Sequence, residues 1–215
     1  MNSKTIPKSL KVLALDISSV KIGWAVATYS PGPNFEIHAA DTFKLKSKDD
    51  LVRLENAEKF IKDIIAEHGG GVQMILYETA PLFFRSRGGK QRSSAKTITK
   101  LNAFNLAIRW MAWMQYGGKL PINGLAVLAI KKSIKHIPRA DLTSWYDTSN
   151  VNASKKANIG VVKTLIEKYK CPDRIIETLS AQNRNGKVAT GVDDTADAIL
   201  VAYAGVRKFW KPESS

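Results

Sequence analysis

Short apolar runs that close on a carboxylate restrict the fold of this sequence more than any other feature. Val12-Leu13-Ala14-Leu15 is an unbroken apolar run ending on Asp16, and Met74-Ile75-Leu76-Tyr77 is another ending on Glu78. Four apolar residues in succession, without alternation, describe a strand covered on both faces. Such a strand needs helices above and below its sheet, so an α/β architecture is expected.

The rest of the chain supplies the other layers. Ile22 to Thr28 reads as a second strand, joined to the first by the turn from Ser18 to Lys21, and Phe35 to Phe43 reads as a third after the Pro31-Gly32-Pro33 loop. Leu51, Leu54, Ala57, Ile61, Ile64 and Ile65 recur at helical spacing behind a capping Asp49 or Asp50, and Gly69-Gly70-Gly71 stops that helix. Ser93 or Ser94 can cap a long helix to about Gln115, with Ile98, Leu101, Ala107, Ile108 and Met111 as core candidates. Leu125 to Ile130 reads as the fifth strand. Ser154 opens a helix to Tyr169, and Asp193 or Asp194 opens the last one, to about Lys208. Lys131 to Asn152 and Pro172 to Gly191 read as long loops, which in a compact domain are often functional. Trp145-Tyr146 in the first of these suits a small loop core or a nucleic-acid contact. The expected organisation is a tail over 1–10, a single domain over 11–209, and a tail over 210–215.

The charge is distributed unevenly. The 215 residues carry 33 Lys+Arg against 19 Asp+Glu, a net charge of +14. No acid occurs from Thr79 to Ala140, a stretch holding twelve of the basic residues, among them Arg85, Arg87, Lys90, Arg92, Lys96 and Lys100; the remainder carries 21 basic against 19 acidic. One-signed clustering repels itself unless counter-charge arrives, which points to a polyanion, although a solvated basic face kept for solubility would also carry it. If about six of these residues meet phosphates, affinity should fall roughly a thousandfold between 50 and 200 mM salt. No apolar run approaches the roughly 20 residues of a membrane span, and no amphipathic anchor adjoins the cluster, so no membrane partner is expected. The N-terminal Met-Asn-Ser-Lys-Thr-Ile-Pro-Lys-Ser lacks the apolar core of a signal peptide. The lone Cys171 excludes an internal disulfide framework and a cysteine zinc site. A cytoplasmic or other intracellular location is expected, with organellar or viral origin left open.

Asp194 and Asp197 stand three apart near the start of the last helix, and so share one face. Together with Asp16 and Glu78 they make four acids at strand and helix ends. Each has a structural explanation alone, as a turn cap or a helix-dipole partner. Converging, each pair about 4 Å apart would repel by roughly 1 kcal/mol in water and 4 near a protein surface. A bound divalent cation or retained protons would make that tolerable. All-oxygen donors suit Mg²⁺ or Mn²⁺, and two such ions can activate water and stabilise the leaving oxygen of a phosphodiester.

Leu-Ala-Leu-Asp16-Ile-Ser-Ser-Val-Lys-Ile-Gly23-Trp24-Ala-Val resembles the first motif of the RuvC-type Holliday junction resolvases. Ile75-Leu-Tyr-Glu78 resembles their second, and Val192-Asp-Asp194-Thr-Ala-Asp197-Ala-Ile-Leu their last; the matches span about residues 11–205. The resemblance implies a ribonuclease H-like fold, a mixed five-stranded sheet flanked by helices. It implies a homodimer that nicks four-way DNA junctions symmetrically by metal-dependent hydrolysis, with Asp16, Glu78, Asp194 and Asp197 holding two Mg²⁺ ions (Mn²⁺ as a substitute) in each site. Asp193 can take the place of Asp194. The family's catalytic lysine matches Lys155 best and Lys156 next. The chain departs from the pattern in having Ile17-Ser18 where the family has Pro-Gly, and Pro81 where it has an aromatic residue that enters the junction. Phe83 and Phe84 lie close enough to serve instead, base stacking being worth about 1–3 kcal/mol, or they pack under a loop. Other nucleases of the fold, and a DNA-structure binder without catalysis, share these features. Actin-like ATPases and sugar kinases also place an Asp after the first strand, but the second phosphate loop and adenosine segment they need are missing. His38, His68 and His136 show no ligand spacing.

Overall fold

β1 (Leu10–Ile17) is the centre of the molecule, and the sheet is built outward from it. The computed structural model describes residues 9–31, 34–79 and 95–209. β2 (Lys21–Ser30) pairs antiparallel with β1, and β3 (Asn34–Lys44) pairs antiparallel with β2. On the other side β4 (Met74–Glu78) and β5 (Ile122–Leu125) add in parallel, giving the order β3-β2-β1-β4-β5. The expected mixed five-stranded sheet is therefore present.

Strand periodicity divides the core in two. Leu10, Val12 and Ala14 point to one face of the sheet, where α4 (Ala153–Lys168) and α6 (Val192–Phe209) cover them. Leu13, Leu15 and Ile17 point to the other, against α1 (Asp50–His68) and α2 (Ala95–Gln115). β1 is apolar on both sides because both sides are roofed. α6 lies across β1, β2 and β3 and buries Ile199, Leu200, Val201, Tyr203 and Val206. Truncating one such Leu or Ile to Ala would cost about 2–5 kcal/mol. Its Asp193 and Asp194 in the first turn and Arg207 and Lys208 in the last complement the helix dipole.

Several boundaries differ from expectation. The fifth strand is Ile122–Leu125, and the apolar run after it is a helix, α3 (Val127–Ile134), which buries Ile130 and Ile134 on one side. An apolar run of six residues carries no period that separates strand from helix, and here the helix packs against α6 with its i, i+4 pair buried. α4 is capped by Asn152, whose side chain accepts from the Lys155 amide, rather than by Ser154. The segment 172–191 contains a short helix, α5 (Asp173–Leu179). Asp49 caps α1 as expected, accepting from the Leu51 and Val52 amides. Leu51 itself is exposed. On α2 only Ile108 of the five core candidates is fully buried; Phe104 and Ala112, one turn either side, complete its inward face. The Ser93 and Ser94 caps lie outside the described residues. Tyr146 is buried and Trp145 packs on the core, with the Lys163 ammonium 4.9 Å from its ring, so this pair is a loop core.

Candidate active site

The alternation that builds the core also aims the acids. Asp16 has the parity of Val12 and Ala14, and so faces α6. Glu78 has the parity of Met74 and Leu76, which pack on the same side. The parallel register pairs Leu15 with Tyr77, so one residue on, Asp16 and Glu78 end adjacent strands at the same level. Neighbouring strands lie about 4.8 Å apart.

α6 brings the other two. Asp16 is opposite Gly23 on β2, and the backbone carbonyl of Asp194 stands over Gly23 so closely that a Cβ there would be 2.2 Å from it. The approach is locked from β3. Thr42 Oγ1 donates to the Gly191 carbonyl at 2.8 Å and shares a 2.8 Å hydrogen bond with buried Thr195 Oγ1. Gly191 itself has φ +105°, a turn only glycine adopts freely. Asp197, one turn into the helix, accepts from Asn158 Nδ2 of α4 at 2.7 Å.

The electrostatics follow from burial and mutual repulsion. Burial, then Asp197, Glu78, Asp194 and Asp193, push the Asp16 carboxyl well above its ordinary range. Burial and Asp197 push Glu78 up to about 7, against the pull of Lys131. Burial also raises Asp197 to about 6; Asp193 and Asp194 add to this, while the Asn158 hydrogen bond and Lys155 oppose it. These three carboxyls share a shortage of positive charge.

Two lysines partly meet it. Lys21 of β2 pairs with Asp194, and Lys155 at the start of α4 pairs with Asp193. Burial works to raise the Asp193 carboxyl, but the Lys155 ammonium outweighs it and holds the group below its ordinary value. Lys155 is correspondingly raised, the Asp193 contact outweighing its own desolvation. Lys156 is exposed and lies toward Asp147 instead.

The acids that the sequence singles out therefore share one neighbourhood, and Lys155 joins them through Asp193. Among the described residues no three His, Cys, Asp or Glu side chains stand close enough, as oriented here, to hold a metal ion. In chemistry, the set fits a hard divalent cation: carboxylate oxygens only, three of them raised by burial and then by repulsion from their neighbours. Of the basic residues, Lys96 is exposed on the first turn of α2. Lys100, one turn on, pairs with Asp50 Oδ1 at 2.6 Å and lies 5.8 Å from the Phe104 ring centre. Phe83, Phe84, Arg85, Arg87, Lys90 and Arg92 lie outside the described residues. Sequence reasoning missed Lys21 and Asn158. The second was within reach, because Asn158 is three residues from Lys155 on the same helical face; Lys21 carried no such signal.

No protein-family model matches this sequence, and no curated protein sequence matches it. Solved structures do. T. thermophilus RuvC in complex with a Holliday junction substrate is similar with a TM-score of 0.57 at 11% identity, over 91% of this chain and 92% of that one. The yeast mitochondrial Holliday junction resolvase Ydc2 is similar with a TM-score of 0.57 at 19% identity, over 95% and 80%. T. thermophilus RuvC by itself gives 0.55 at 11% identity, over 94% and 99%. At these identities the likeness is one of fold, and the chain has the ribonuclease H-like fold of these resolvases.

Proposed function

We propose that this protein is a metal-dependent endonuclease that resolves four-way DNA junctions by paired, symmetrical nicks. The observation that carries the proposal is the meeting of Asp16, Glu78 and Asp197 at the ends of two adjacent strands and on the helix facing them, each raised by burial and by its neighbours. Asp16, Glu78, Asp194 and Asp197 would hold two Mg²⁺ ions, or Mn²⁺ in their place. When bound, such ions supply an activated water and stabilise the leaving oxygen of the phosphodiester. Asn158 holds Asp197 in place through its 2.7 Å hydrogen bond. Lys155, paired with Asp193, would stabilise charge developing on phosphate.

Outside the site, the acid-free stretch provides the DNA contacts: Lys96 and Lys100 on α2, and Phe83, Phe84, Arg85, Arg87, Lys90 and Arg92 before it. Symmetrical cuts require two sites related by a two-fold axis, hence a homodimer. α2 exposes Leu106, Trp110 and Met114 at successive i, i+4 positions on the side away from its buried face. That stripe is the surface we assign to the second copy. Trp110→Glu should convert a dimer to a monomer in light scattering.

The test is a labelled synthetic four-way junction incubated with Mg²⁺, with EDTA, and with Asp16→Asn. Paired nicks that need both the metal and Asp16 support the proposal. Tight junction binding without cleavage in either Mg²⁺ or Mn²⁺ favours a second reading, a non-catalytic DNA-structure binder. The lysine partners of Asp193 and Asp194 are the observation on that side, since they give two of the acids a structural role.

A further inference from the structure

We propose that Lys21 is a resident counter-ion of the carboxylate cluster, released when a divalent cation binds, and that the cavity it shares with Lys155 then takes a backbone phosphate of the DNA. The inference rests on the metal-site reading above and extends it to a phosphate subsite.

The cavity has a volume of about 300 Å³ and adjoins the acids on the side of β2 and α4; Lys21, Asn152, Lys155, Thr190 and Asp193 are among its lining residues. Its two ammonium groups are occupied by carboxylates of α6: Lys21 by Asp194, Lys155 by Asp193. The side chains of Lys21 and Asp194 are only 22% and 16% exposed. A pair this sheltered from water does not give up one partner without cost, because the group left behind is a desolvated charge.

Lys21 holds Asp194 by Oδ2, and a divalent cation drawn to the same carboxylate competes with the ammonium for its single negative charge. Once Asp194 turns to the cation, Lys21 needs another anion, and the cavity beside it is where one fits. The walls suit a phosphodiester. Lys21 and Lys155 bring charge, and Thr190 and the Asn152 amide bring neutral donors, all to oxygens that accept without a preferred number of partners. A sulfonate or carboxylate would satisfy the same donors, but the basic excess of the chain makes a nucleic-acid phosphate the ligand it meets at highest local concentration. Metal and phosphate then reinforce one another. Each takes one half of an ion pair, so binding of either prepares the site for the other, and the coupling is reciprocal.

Two measurements on Lys21→Met and Lys21→Gln test this, each variant first checked for a native circular dichroism spectrum. In the first, Mn²⁺ alone is titrated without DNA and free Mn²⁺ is followed by electron paramagnetic resonance. Removing the resident cation should tighten Mn²⁺ binding about five- to tenfold. In the second, junction binding is measured against salt, in EDTA and in Ca²⁺. With Ca²⁺ the variants should show a salt slope shallower than wild type by about 0.9, the worth of one phosphate contact. In EDTA the slopes should coincide, because Lys21 is then engaged by Asp194. Equal Mn²⁺ affinity in wild type and variants, or slopes that differ equally in EDTA and Ca²⁺, would overturn the exchange while leaving the metal site intact. A wild-type protein that binds no Mn²⁺ would overturn both readings.

Discussion

Gly23→Ala is the substitution that most sharply separates a packing account of the site from a purely electrostatic one. Its Cβ would lie 2.2 Å from the Asp194 carbonyl oxygen and 2.7 Å from the carbonyl carbon. Contact distances between such atoms run from about 3.5 Å, so α6 would have to retreat by about 1 Å. It cannot do so freely, since Thr42 ties the Gly191 carbonyl and Thr195 to β3. Overpacking of this kind costs about 1–3 kcal/mol, and loosening the threonine clamp adds about 1 kcal/mol. The sum, about 2–4 kcal/mol, corresponds to a fall in melting temperature of roughly 5–12 °C for a chain of this size. Activity should fall further, because a 1 Å displacement of Asp194 from the position opposite Asp16 can cost about a hundredfold in rate. Thermal unfolding and single-turnover junction cleavage at saturating Mg²⁺ read the two effects. Gly70→Ala is the control, since its Cβ would meet nothing within 4 Å. If Gly23→Ala melted with the wild type and cut at the wild-type rate, the close approach of α6 would have no part in forming the site.

The raised Glu78 and Asp197 carboxyls make the metal-free protein lose stability as pH rises. Between about 4.5 and 7 the native state binds more protons than the unfolded chain, so the slope of unfolding free energy against pH is negative there. Urea denaturation in EDTA should show a loss of roughly 3–6 kcal/mol across that window, and added Mg²⁺ should reverse it. Glu78→Gln removes one of the crowded charges, so at pH 8 in EDTA it should be more stable than wild type by about 1–3 kcal/mol while cleaving no junction; a less stable variant would contradict the assignment of repulsion to Glu78. Asn158→Ala deletes the hydrogen bond that holds Asp197 down, so the acid limb of the pH–rate profile should move to higher pH, where a merely structural asparagine would lower the rate at every pH equally. Arg85→Ala combined with Arg87→Ala should reduce the salt slope of junction binding by about 1.8 if both meet phosphate, and an unchanged slope would remove them from the interface.

The parts of the molecule legible in the sequence were those decided locally. Val12 to Leu15 and Met74 to Tyr77 are strands because four apolar residues in a row must be covered twice, and the acids that follow them inherit their direction from the same alternation. Asp194 and Asp197 share a face because helical geometry requires it. The run from Leu125 to Ile130 misled because a short apolar stretch fits strand and helix alike, and the packing of Ile130 and Ile134 decided it. Asn152 displaced Ser154 as cap for a similar reason: either side chain can accept an amide, and the tertiary start of α4 chose. Lys21 was beyond reach, since its partner Asp194 lies 173 residues away and only the crossing of α6 over β2 unites them.

If these carboxylates form one hydrolytic site, as proposed, it should act on a branched substrate in preference to a linear one. Strand-mapped cleavage tests it most directly: a four-way junction carrying a label on each strand in turn, compared with linear duplex of the same arm sequence, under single-turnover conditions with Mg²⁺. Two nicks at symmetry-related positions on opposing strands are expected, with a much slower reaction on the duplex and no cleavage of either by Asp16→Asn. Cleavage of the junction at an undiminished rate by Asp16→Asn would contradict the proposal.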